Sequence, residues 1–542
     1  MQTLRAGHRT VGLTSALLAT LALVAVSSSH AQEPAEAPVL EPAEAPAQET
    51  PVSAAAAPKV RSLGGGAWSW FGDPRGVHYV GNHRRTYLGW VDVRGTVKVA
   101  SFDHGTRLRT TAVMRWRLDD NDHANPSLHV LPGGKLMVFY NKHAGPAMYY
   151  RISSRPEDVR AWGPERKIPT NTAGLGKGFS YPNPIRLSSE RHPLWLFWRG
   201  GNWQPTLSKT RNAGDTWTPP RTLIEEPGHR PYVKYASNGK DTVHFAFTEG
   251  NPGSFDTNIN YAYYKAGALH RADGTKIKSM ADLPLKPEEA DPVYDTELKT
   301  WVHDIALDKV GRPIIVFTTL PSETEHHYRY ARWNGTKWET FPVTAAGGSI
   351  GDGSGRDRYY SGGITIDHEN PSVVYLSREV KGMFEVETWR TPDGGATWTR
   401  RAVTSASSTK NVRPISPRGL RSFDDDMSVV WMRGAYAHYL NYETDITTRL
   451  LNGGNIPPIA EATNPTLLTG PGVKPRTMRF GASRSRDPDG TRLAYAWSFG
   501  DGARAAGKYR SHTYARSGRY YATLTVTDED GDKDVFVTEV VV

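Results

Sequence analysis

Residues 119–150 read DDNDHANPSLHVLPGGKLMVFYNKHAGPAMYY. An apolar-rich run, Ser127–Leu131, meets a Pro132-Gly133-Gly134 turn and returns through Lys135–Tyr140, the signature of a β-hairpin. His123 lies ten residues before Gly133 and His143 ten after it. A regular antiparallel ladder sets two such residues side by side at the hairpin's open end, about 5 Å apart. The pattern recurs 58 residues on, where Ser180-Tyr181-Pro182-Asn183-Pro184 echoes His123-Ala124-Asn125-Pro126. This second hairpin turns at Ser188–Arg191 and climbs back through Leu194–Trp198 to Arg199, with Tyr181 and Arg199 equidistant from the turn. One hairpin end thus offers two imidazoles and the next a phenol and a guanidinium, a set suited to proton transfer and anion binding.

Further hairpin turns fall near Gly81-Asn82, Asn238-Gly239, Gly311, Glu369 and Asp424–Asp426, making seven in all. Spacings on the order of 50–70 residues suit propeller blades of four strands each. Asn212–Trp217 and Pro392–Trp398 match the Asp-box turn, and Asn334–Trp338 is a looser relative. These turns speak to architecture rather than chemistry. The expected fold is all-β: a seven-bladed β-propeller over 60–455, then an Ig-like β-sandwich over 456–542 that opens with a short linker.

The ends of the chain set the compartment. Arg5 and Arg9 precede an apolar run, Val11–Val26, and Ser29-His30-Ala31 resembles a cleavage site. Residues 1–31 therefore read as a secretory signal peptide, with no membrane insertion. Residues 32–59 form an Ala/Pro/Glu tract read as a disordered spacer. The sequence holds no cysteine, which excludes disulfides and thiolate metal sites. Formal charge is +10, and the remainder is more basic still, because the leader holds two arginines and the spacer five glutamates. For an exported chain of this kind the expected state is a monomer, and the expected partner is an acidic polysaccharide rather than nucleic acid.

The C-terminal segment resembles a PKD domain. The matching residues are Asp487-Pro488-Asp489-Gly490, Trp497-x-Phe499-Gly500-Asp501-Gly502, His512-Thr513-Tyr514 and Leu524-x-Val526-x-Asp528. Such modules act as spacers or ligand contacts. The larger region resembles the BNR-4 repeat propellers through Asp122-His123-x-Asn125-Pro126, Met148-Tyr149-Tyr150-Arg151, Phe197–Trp203, Arg230–Tyr235 and Arg358–Gly363. That group includes lyases acting on ulvan, a sulfated rhamnose–uronate polymer. Their catalytic centre of two histidines, a tyrosine and an arginine is matched here by His123, His143, Tyr181 and Arg199.

The resemblance implies β-elimination at a uronate. Such a reaction needs a cation on the carboxylate, a base for the C5 proton and an acid for the departing O4. Arg199 is expected on the carboxylate, Tyr181 and His123 in proton transfer, and His143 in orientation; which of Tyr181 and His123 is the base stays open. Arginine beside Tyr181 is expected to lower its pKa. Arg230, Lys234, Tyr235, Tyr360, Arg378 and Trp203 are the candidate substrate contacts. No cofactor is required, and Asp119–Asp122 reads as a solvated acidic turn with a structural calcium as the alternative. A glycoside hydrolase on the same propeller and a non-catalytic carbohydrate-binding protein are the rival functions.

Overall fold

Short β-branched and aromatic runs broken by Gly, Asn and Asp leave little room for helix. The computed structural model describes residues 49–51, 59–168, 178–421, 424–451, 453–469, 475–490 and 492–542, and their regular structure is β apart from single 3-10 turns. The expected signal peptide lies outside the described residues, as does most of the spacer. Glu49–Pro51 is an exception to the disordered reading: it pairs in parallel with Trp398–Arg400, a strand that otherwise has a free edge.

The seven hairpins head seven sheets. Their first strands are Gly76–Val80, Ser127–Val130, Ser180–Arg186, Tyr232–Ser237, Lys299–Leu307, Ile364–Ile366 and Lys410–Ile415, and each pairs antiparallel with the strand that follows. We number the sheets 1 to 7 in that order. Both Asp-box turns link the third and fourth strands of their sheets. In each, a threonine (Thr210 or Thr391) accepts from a glycine N–H while Asn212 or Asp393 accepts from the N–H of Thr216 or Thr397. Sheet 7 is completed from the other end of the chain: Lys59–Gly65 pairs with Asn441–Leu450 as its outermost strand.

The segment that follows, Gly66–Arg75, runs through the middle of the ring and fills it. Gly66 is required there, because a Cβ at this position would stand 2.1 Å from the Trp90 ring. Trp68, Trp70 and Phe71 are buried, and Phe71 alone contributes roughly 1.5–3 kcal/mol by leaving water. Successive backbone carbonyls of this plug are capped by different sheets. Arg413 donates to Trp68 O (2.8 Å), Lys234 to Trp70 O (2.5 Å), Asn183 to Phe71 O (2.9 Å) and Asn125 to Gly72 O (3.3 Å). The repeated asparagines at 125 and 183 therefore play the same structural part, each satisfying a buried carbonyl that would otherwise be orphaned.

The C-terminal sandwich packs around Phe480, Trp497, Phe499, Tyr514, Leu524 and Phe536. It is not a detached spacer. Its last strand, Lys533–Val541, pairs in parallel with Arg109–Arg115, the outermost strand of sheet 1. Arg109 and Asp534 form a buried ion pair across that seam (Nε–Oδ1 2.9 Å). Val113 and Trp116 join the sandwich core, and Lys98 binds Glu461 at 2.6 Å. The open edge of sheet 1 explains the difference from expectation: an unpaired strand row is a template for another strand.

Candidate active site

The first hairpin keeps its register: Leu128 faces Val138 and Ser127 faces Phe139. Carried on past the ladder, that register brings His123, on the 3-10 turn Asp122–Ala124, against His143. Their ring centroids are 4.4 Å apart. Asn121 caps the turn by accepting from the His123 N–H (3.0 Å). On the second hairpin Ser180 pairs with Arg199 and Asn183 with Phe197, so a bulge ejects Tyr181 from the ladder. Tyr181 adopts φ +59°, a left-handed conformation that re-aims its ring. Its ring centroid lies 5.5 Å from that of His123, with the Arg199 guanidinium over its face at 4.5 Å. The structure thus brings His123, His143, Tyr181 and Arg199 into one cluster.

Arg199 is buried and faces no carboxylate among the described residues. Its Nη2 donates to His143 Nε2 (3.0 Å) and Ser180 Oγ (3.3 Å), its Nη1 donates to Tyr232 Oη (3.2 Å), and its Nε has no partner. Guanidinium only donates, so His143 Nε2 meets Arg199 as a lone pair, while the Asn121 side-chain amide nitrogen stands 3.0 Å from Nδ1. Burial, with His123 and Arg199 adding to it, pulls the His143 pKa down to about 2. Burial also lowers that of His123, against the opposing pull of Asp122. His123 Nδ1 and Asp122 Oδ1 lie 2.6 Å apart, a charge contact whose angle falls short of a hydrogen bond.

Tyr181 departs from expectation. Burial raises its pKa by more than Arg199 lowers it, so the phenol holds its proton. Its hydroxyl has no hydrogen-bond partner among the described residues, which leaves the proton available to an incoming group. The cluster therefore pairs neutral imidazole, a proton acceptor, with neutral phenol, a proton donor, around a cation lacking a counter-ion among the described residues.

The candidate substrate contacts divide. Trp203, half-buried, lies between two guanidiniums, Arg199 at 4.7 Å and the exposed Arg230 at 4.4 Å. Those two residues border the cluster. Lys234 does not: it is sealed in the core on Asp73 and Trp70 O. Tyr235 is likewise core, stacked on Phe197 with centroids 4.6 Å apart. Tyr360 is buried beneath the cluster, edge-on to Trp70 and Trp301 at 5.0 Å each. Arg378 is spent on Glu387, with Nε–Oε2 at 2.8 Å and Nη2–Oε1 at 3.2 Å. Asp122 is fully buried on Arg413 (2.5 Å) rather than solvated, and Asp119 accepts from the His143 N–H (2.8 Å). No group of acidic and histidine side chains among the described residues is arranged to hold a metal ion.

The sequence does not single out Tyr232, Tyr439, Tyr436 or Asp357, and it offers Arg413 only as a member of an arginine triad with Arg75 and Arg230 for the rival hydrolase. Tyr232 has a signal: it stands two residues before Lys234, as His123 and Tyr181 stand two before Asn125 and Asn183. Tyr439 packs edge-on to His123 at 5.2 Å and has no such repeat to betray it.

Residues 85–346 match the family model described as BNR repeat-containing family member, and 455–542 match that of the PKD domain. The first match stops short of sheets 6 and 7. Among solved structures, a polysaccharide lyase, an ulvan lyase solved with and without bound -[GlcA(1-4)Rha3S]-, is 16% identical with a TM-score of 0.54. The alignment covers 72% of this chain and 94% of that one. The likeness shows the fold, a propeller of the kind a polysaccharide lyase uses. The first PKD domain of Vibrio anguillarum Epp is 31% identical, covering 16% of this chain and 96% of its own, with a TM-score of 0.14. Collagenase ColA of Clostridium perfringens (strain 13 / Type A) is 41% identical over 54 residues, 10% of this chain. The metalloprotease PrtV of Vibrio cholerae serotype O1 (strain M66-2) is 42% identical over 50 residues, 9% of this chain. The chain spans about 5% of the length of these two curated relatives.

Proposed function

We propose that this chain, a BNR repeat-containing propeller carrying a PKD domain, is a polysaccharide lyase that cleaves a uronate-containing acidic polymer by β-elimination. One observation carries the reading: among the described residues, the buried Arg199 guanidinium has no carboxylate partner and its Nε is free. A buried cation is costly unless paired, and a uronate carboxylate is the planar anion its fork fits.

With that carboxylate on Arg199, negative charge that builds as the C5 proton leaves is neutralised in place. His123 takes the C5 proton, the C5–H electrons form the C4=C5 double bond, and the C4–O4 bond breaks. Tyr181 gives its proton to O4. His123 is left protonated and Tyr181 ionised, and a proton passing from one to the other resets the site. His143 holds Arg199 through its Nε2 lone pair. Trp203 and Arg230 border the site as a stacking platform and a second cation for the polymer. The leader read in residues 1–31 supports an activity outside the cell.

The test is incubation with a panel of uronate polysaccharides, including the sulfated rhamnose–glucuronate type, followed by ultraviolet absorbance. A lyase creates a 4,5-unsaturated uronate that absorbs. Chain shortening without absorbance would instead mark a hydrolase, and binding without shortening a lectin.

A further inference from the structure

Behind His123 lies a buried polar chain that the reaction above does not use. Asp122 Oδ2 accepts from Arg413 Nη1 (2.5 Å) and from Tyr436 Oη (2.8 Å). Tyr436 Oη also receives Arg413 Nη2 (2.6 Å) and lies 3.0 Å from Asp357 Oδ2. Asp357 Oδ2 accepts in addition from the Tyr439 N–H (3.1 Å), while its Oδ1 is buried with no partner. Asp122, Arg413, Tyr436 and Asp357 are all buried.

Hydrogen counting decides the state of this chain. A phenol has one hydrogen and two lone pairs. Tyr436 spends a lone pair on Arg413 and faces a carboxyl oxygen on each of two aspartates, yet it can donate to only one of them. Asp122, already on Arg413, is the better acceptor. The remaining contact is satisfied only if Asp357 carries a proton and donates it to Tyr436. An ionised Asp357 would leave two acceptors facing one hydrogen and a buried charged oxygen unpaired, which costs far more than a neutral one.

We infer that Asp357 is a positioning residue that works in its protonated form, holding His123 through Tyr436 and Asp122. This deepens the lyase reading and rests on it for the role of His123. The groups facing Asp357 are Arg413, Asp122, Tyr436, Tyr360 and the Tyr439 N–H. On its open side, a cavity of about 510 Å³ is also lined by Arg358 on Glu323 and by Glu379. Burial and the Asp122 charge, against Arg413, push the Asp357 carboxyl up to about 7. The sign follows: the proton is in place below that pH and is lost above it. Ionisation then sets a second negative charge beside Asp122 and breaks the bond that fixes Tyr436.

Asp357→Asn is neutral at every pH and sets an N–H donor toward Tyr436, giving up only the bond from the Tyr439 N–H, which falls on the same oxygen in the native acid. Asp357→Ala removes every polar contact at this position. The expected result is that D357N keeps most of the activity and loses the fall above neutral pH, whereas D357A loses roughly 100-fold through a misplaced base. Two substrate-free measurements keep this apart from the lyase reading. The infrared difference between wild-type protein and D357N at mildly acidic pH should show one protonated carboxyl, disappearing as pH rises through about 7. Nitrogen-15 histidine spectra should show the His123 signal moved in D357A and unmoved in D357N. An absent carboxyl band, or a His123 signal indifferent to D357A, overturns the inference even if uronate cleavage is found. Both results as expected with no cleavage of any polymer would overturn the lyase reading alone.

Discussion

Two charged clusters flank the plug, and they are settled in opposite ways. At Asp73–Arg75, cations and carboxylates cancel: Asp73 serves Arg75 (3.0 Å) and Lys234, and Asp304 takes His368 (3.2 Å), Thr365 (2.8 Å) and a backbone N–H. The crevice among them holds about 10 Å³, room for no more than a water. Beside Trp68 and Ser69, Arg413 is paired with Asp122, yet Arg199 keeps company, among the described residues, with phenols, an indole, a hydroxyl and an imidazole lone pair rather than a carboxylate. A paired buried charge belongs to the architecture. The proposed function rests on the one left without a carboxylate, so location near the axis does not separate the two clusters, whereas pairing does.

Removing the unpaired cation should have the largest effect. Arg199→Ala is expected to lower kcat/KM on a uronate polymer by roughly 10³-fold with an unchanged melting curve, and Arg199→Lys to fail as a rescue. An equal loss in melting temperature would assign Arg199 to the architecture after all. Lys234→Met should do the reverse, destabilising by about 3–5 kcal/mol in denaturant titration because Asp73 loses a partner, with the folded fraction still active. Tyr181→Phe is expected to cost roughly 10²-fold in kcat. Its hydroxyl is unbonded, so stability should hold.

Acid should weaken the fold in two stages. Buried His143, neutral down to about 2, and the other buried histidines must charge on unfolding. The unfolded state gains protons below about 6.5, so stability is lost as pH falls from there. Asp73, Asp122 and Asp304, held well below the carboxylate range, contribute stability present above about 4 and lost as pH falls further. Melting temperature against pH should therefore show two descents, with His143→Gln shrinking the upper one only. The smallest effect belongs to Arg230→Ala, an exposed residue: a KM raised a few-fold, with weaker dependence on salt.

Much of this is legible in one dimension. Seven turns and two Asp boxes announce the sheets, and the count about Gly133 pairs His123 with His143 because the ladder there is regular. The count about the second turn pairs Tyr181 with Arg199 despite the bulge, since both stay at the strand's end. The same arithmetic misleads in sheet 4, where charge draws attention to Lys234 and away from Tyr232, the residue in register. Arg378 shows a second limit: its partner Glu387 lies on the next strand, and no periodicity tells a cation that is free from one that is spoken for. The depth of burial that raises Tyr181, and the convergence of Asp357, Tyr436 and Asp122 from separate parts of the ring, depend on the closed fold and have no local sequence signal.

The pairing of Lys59–Gly65 with Asn441–Leu450 has a consequence for biogenesis. A nascent chain emerges with Lys59–Gly65 and the tryptophan-rich segment behind it already made, while the strand they must join is nearly four hundred residues from being synthesised. The entropic toll of so large a loop grows only slowly with length, but the wait is real, and exposed aromatics during it invite association between chains.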